Sequence, residues 1–125
     1  MWCIEYDPAS HLLAIRVTRQ APAGEMRALM RAHVQALAAT GGASFRVLTD
    51  LRGLMPLDAE SAQLFSDIKR AAQSLPGFTS RVVLCDSATV AMQQRRTSLQ
   101  DQTAEQELIT FDETEARRQL QLEAR

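Results

Sequence analysis

Apolar residues in this chain recur at two different spacings, one strand-like and one helical, and the alternation of the two restricts the fold more than any single motif. Trp2, Ile4 and Tyr6 alternate with Cys3 and Glu5, the period-two pattern of a half-buried strand. Asp7-Pro8-Ala9-Ser10 supplies turn residues, and Leu12 to Thr18 resumes the alternation. So short a connection joins antiparallel neighbours, because parallel ones need a long crossover. The chain therefore opens as a β-hairpin. From Pro22 the period lengthens: Met26, Leu29, Met30, His33, Val34 and Leu37 share one helical face, with Pro22 in the first turn and Gly41-Gly42 as the stop.

The alternation then repeats. Phe45 to Thr49 reads as a strand and Asp50 to Pro56 as a loop. A second helix follows from about Asp58, its N-cap, through Leu64, Phe65, Ile68, Ala71, Ala72 and Leu75, and Pro76-Gly77 ends it. Arg81 to Cys85 is nearly all apolar, as in a central strand covered on both faces. Asp86-Ser87 caps a third helix to roughly Gln100. Its expected inner face of Ala88, Met92 and Leu99 is interrupted by Gln94, Arg95 and Arg96. Glu107 to Phe111 is the last strand, and Asp112-Glu113-Thr114-Glu115 starts a helix that turns Ala116 and Leu120 inward. The order ββαβαβαβα implies one α/β domain over residues 1–125, with a mixed, mainly parallel sheet of about five strands and helices packed on it.

Charge and cysteine usage exclude several partners. The net charge of -1 comes with acids and bases intermixed along the chain, so no patch is expected for nucleic acid or an anionic membrane. No apolar run approaches the roughly 20 residues of a membrane span. Cys3 and Cys85 both fall in strand-like runs, where a thiol serves as a small hydrophobe. There is no CxxC, no Cys/His metal spacing and no secretory segment, so a reduced, cytoplasmic setting without a metal or cofactor is expected.

Motifs that carry chemistry are missing. Neither a P-loop nor a GxGxxG turn occurs, and the only lysine, Lys69, lies mid-helix rather than in a loop. His11 at a strand entrance and His33 on an apolar helical stripe are poorly placed to activate a nucleophile. Capping accounts for Asp58, Asp86 and Asp112, core packing for Met26 and Met30, and a solvated helix face for Arg95-Arg96. No acid–base pair is identifiable, so no enzyme is expected. Ligands of parallel sheets bind beyond the carboxyl ends of the strands. Those ends carry Thr18, Arg19, Asp50, Arg52, Asp86 and Ser87.

Val47-Leu48-Thr49-Asp50-Leu51-Arg52-Gly53, between the first helix and a helix starting near Asp58, resembles the middle of a STAS domain. Ile4-Glu5-Tyr6-Asp7, Val82-Val83-Leu84 and Phe111-Asp112-Glu113 before Ala116 are similar to the branch named after the sporulation anti-sigma factor antagonist, a group compared in fold with lipid-binding CRAL-TRIO domains. The resemblance implies a bacterial, non-enzymatic regulatory module that meets a protein partner or its own copy through the loop from Asp50 to Asp58. In those antagonists an Asp-Ser pair carries a phosphorylated serine. Here the acid matches Asp58, the next residue is Ala59, and Ser61 lies off the matching position, so the phosphoswitch is not expected. The alternative function is a carrier or sensor of a small apolar or anionic ligand, with Arg19 and Arg52 as anion partners.

Overall fold

The computed structural model describes residues 1–123 and has an α/β fold, with four helices on a mixed five-stranded sheet. The strands are β1 (Trp2–Asp7), β2 (Leu12–Val17), β3 (Phe45–Asp50), β4 (Phe78–Leu84) and β5 (Glu107–Thr110). The helices are α1 (Ala23–Ala39), α2 (Ala59–Gln73), α3 (Ala88–Gln100) and α4 (Glu113–Glu123). Strands lie in chain order: β1 and β2 pair antiparallel as the expected hairpin, and β2 through β5 run parallel.

A sheet that grows in one direction through crossovers of one hand places all the crossover helices on one face. Accordingly Leu13, Ile15, Val17, Val47 and Val83 pack with Met26 and Leu29 of α1, Phe65 and Ile68 of α2 and Val90 of α3 in one large core. Among the described residues, the opposite face has one helix, α4. There Val82 and Leu84 meet Ala116 and Leu120 of α4, with Leu12, Leu48 and Leu108 at the margin. β4 is buried along both faces, as its apolar run predicts.

Local chemistry explains the element ends. Asp58 caps α2 by accepting from Ser61 N–H at 2.8 Å, and Ser87 caps α3 by accepting from Val90 N–H at 3.3 Å. Asp112, just before α4, accepts from Thr114 N–H at 2.9 Å. Pro22 occupies the cap position of α1, one residue outside the first turn where the sequence reading puts it. Gly77 is required by proximity: a Cβ there would sit 2.3 Å from the Ala43 carbonyl oxygen.

Five expectations are corrected. β4 starts at Phe78 rather than Arg81, because Phe78 and Ser80 pair with Phe45 and Arg46 of β3, the register shifting between them at Thr79. Val34 is exposed and Cys3 lies on the open face of β1. Asp86 does not cap α3. Most clearly, α3 turns Val90, Gln94 and Ser98 inward, while Met92 and Leu99 are 72% and 62% exposed.

Candidate functional site

The loop after β3 is held by its own side chains. Asp50 takes Arg52 in a two-pronged contact, Oδ1 to Nε at 3.0 Å and Oδ2 to Nη2 at 2.9 Å, and also accepts the Arg52 backbone N–H at 3.1 Å. Gly53, with φ +81°, adopts a left-handed conformation that strains other residues. That geometry points its N–H at both oxygens of Asp86, each at 3.0 Å. On the other side Arg19 N–H donates to the Gly53 carbonyl at 2.8 Å, and the Arg19 carbonyl accepts from Met55 N–H at 2.7 Å. Arg19 is itself left-handed, with φ 64°, a local cost held in place by these two bonds. The Thr-Asp-Leu-Arg-Gly motif thus works as a clasp, with Leu51 fully buried beneath it.

The seven residues singled out from sequence do not form one site. Asp50, Arg52 and Asp86 join the clasp through their side chains or main chain, whereas Arg19 joins it only through its backbone and borders a separate broad depression with Trp2, Pro22 and Met55. Asp58 and Ser87 are helix caps. Ser61 is fully buried, which removes it from the accessible surface on which it was expected.

Asp50 and Arg52 also border a groove of about 410 Å³ between α4 and the sheet. Leu12, Leu48, Leu84, Ala116 and Leu120 give it an apolar floor and wall, and Arg46, Glu113 and Arg117 add charge. Arg46 closes the bottom, its two terminal nitrogens donating to the carbonyls of Leu120 and Ser10. At the mouth Arg52 Nη1 lies 3.0 Å from Glu113 Oε1, and Arg117 Nε lies 3.7 Å from Glu113 Oε2. For Asp50 the upward push of burial is outweighed by hydrogen bonds from Arg52, so its carboxyl sits below the usual range. Arg52 is correspondingly raised by its bond to Asp50. Both groups stay charged at neutral pH. The groove opens at the carboxyl ends of β3 and β4, as parallel sheets favour, and then runs back along the sheet face under α4.

A second polar cluster lies inside the helical layer and was not foreseen. Lys69 of α2, Arg81 of β4 and Glu107 of β5 have side chains 2% exposed. Lys69 Nζ is 2.9 Å from Glu107 Oε2 as an ion pair off the line of a hydrogen bond, and it donates to Ser98 of α3 at 2.9 Å. Arg81 Nη1 is 3.9 Å from the same carboxylate oxygen, while Nη2 donates to the Lys69 carbonyl at 3.0 Å. Two cations thus share one acid. Burial lowers the Lys69 pKa to about 8 and that of Arg81 to about 10, and it raises the Cys85 thiol to about 11. His33 is held to about 4 by burial and then by Arg81. The sequence signal for this cluster is an arginine opening an apolar strand run and a lysine on the inner face of a helix.

Among the described residues, no group of three His, Cys, Asp or Glu side chains is placed to hold a metal, and no helix is long and apolar enough to cross a membrane. No family model matches the chain, and no curated protein matches it significantly.

Proposed function

We propose that this chain is a non-enzymatic binding module of the STAS-like type that takes a small amphipathic ligand, apolar in body and anionic at one end, in the groove beneath α4. The observation that carries this reading is the pairing of a leucine-lined floor with Arg52 and Arg117 at the mouth, the combination of apolar lining and few polar groups typical of small-molecule sites. The non-enzymatic reading is supported by how the candidate groups are used. Asp50 is engaged by Arg52, both oxygens of Asp86 by Gly53, and His33 is buried away from the groove.

Decanoate serves as the test ligand. At about a hundredfold excess over Kd it adds about 3 kcal/mol to stability, on the order of 10 °C in Tm for a domain of this size. Leu48→Trp, which fills the half-buried floor, should abolish that shift. A wild-type Tm indifferent to decanoate removes the groove reading.

One observation favours a second reading, a contact with a protein partner or a second copy. Met55 is 53% exposed in a loop whose Asp50 and Arg52 side chains are engaged with each other. Substituting Met55 with Glu should weaken self-association or partner capture; unchanged association removes the loop from the interface.

A further inference from the structure

We propose that Glu113 is a built-in competitor for the ligand's anionic end: it holds one edge of Arg52 in the free protein, and a ligand carboxylate takes over that edge on binding. This inference rests on the groove reading and names the ligand class within it, a medium-chain monocarboxylate.

The two acids on Arg52 are unequal. Asp50 engages Nε and Nη2 together, accepts a backbone N–H as well, and its side chain is only 13% exposed. Such a fork is strong and geometrically specific. Glu113 meets only Nη1, at 3.0 Å, its side chain is 47% exposed, and its other oxygen reaches Arg117 no closer than 3.7 Å. Exposed pairs of this kind contribute between nothing and about 1 kcal/mol, so Glu113 is the replaceable partner.

Displacing Glu113 leaves the outer edge of Arg52, with Arg117 beside it, facing a groove whose apolar wall begins at Leu84 and Ala116. A single negative charge satisfies that edge. A dianion such as a phosphate monoester would bring a second charge toward Asp50, which already holds the inner edge of Arg52. The same position makes Glu113 a selectivity element, since a neutral amphiphile gains nothing from displacing it.

Calorimetric titration of decanoate and decanol into the wild type, Glu113→Gln and Arg52→Gln tests this. Glu113→Gln should bind decanoate about two- to fivefold more tightly, the equivalent of the lost pair, with decanol unchanged. Arg52→Gln should lose the preference for decanoate while still binding decanol, which also reports that its groove is intact. Decanoate affinity that is unchanged or reduced in Glu113→Gln, or decanol affinity that rises in parallel, overturns the proposal. Equal wild-type binding of the two compounds overturns only the Glu113 competition, whereas binding of neither overturns the groove reading and this inference with it.

Discussion

Removing Glu107 and removing Lys69 should have very unequal consequences, although the two side chains form one ion pair. The cluster holds two cations and one carboxylate at 2% exposure. Glu107→Gln leaves Lys69 and Arg81 buried with no counter-charge, a change that costs about 3–5 kcal/mol out of a total stability of roughly 5–15 kcal/mol. Lys69→Met leaves Arg81 and Glu107 as a neutral pair and fills a similar volume. Its main loss is the bond to Ser98, about 1 kcal/mol, offset by relief of the excess charge. Urea denaturation of both variants reads the difference directly.

The pH dependence has a definite sign. In the folded protein the Lys69 pKa is about 8, against 10.5 for a free lysine, so between these values the unfolded chain binds more protons and stability rises with pH. Relative to Lys69→Met, the wild type should gain about 3 kcal/mol across that window. Cys85 opposes this gain in both proteins, since its raised thiol pKa lowers stability above about pH 9, so the difference between the two curves is the quantity to read. A Lys69→Met protein as unstable as Glu107→Gln, or a flat difference curve, would refute the excess-charge argument.

Two further perturbations test the packing. His33 stays neutral down to about pH 4 when folded but protonates near 6.5 when unfolded, so stability should fall as pH drops through that interval; acid titration should show a steeper loss between pH 6.5 and 4 in the wild type than in His33→Leu, which keeps only the slope of carboxylates such as Asp50. Gly77→Ala should cost about 1–3 kcal/mol, because the new methyl group strikes the Ala43 backbone. Gly24→Ala, at the start of α1 with nothing within 4 Å of the new atom, should add up to about 1 kcal/mol. Thermal denaturation that ranked these two variants in reverse would contradict the local geometry.

Where a local pattern carries the physics, the sequence was legible. The hairpin followed from two alternating runs around a turn and the α2 cap from Asp58 in front of a helical segment, while of the Asp86-Ser87 pair before α3 only Ser87 is the cap. Periodicity failed at α3, whose inner row of Val90, Gln94 and Ser98 is mostly polar and docks in part through Lys69. A search for apolar stripes selects the outward Met92 and Leu99 instead. Arg46 and Arg81 sit inside strands because each guanidinium reaches main-chain carbonyls far along the chain, which no window of neighbours can show. The candidate site was half legible for the same reason. Asp50 and Arg52 stood out as strand-end residues, but the groove they border exists only once α4 has returned to cover β3 and β4.

The coincidence of strand order with chain order bears on how the molecule comes to be made. During synthesis from the N-terminus each parallel strand emerges beside a neighbour that is already present, and each crossover helix can settle before the next strand arrives. Assembly can therefore advance along the ribosome-bound chain without waiting for a distant segment. The exception is α4, which leaves the advancing edge at β5 and folds back across strands completed earlier. A nascent chain released before that helix would have its sheet paired throughout and its leucine surface open to solvent or to a chaperone.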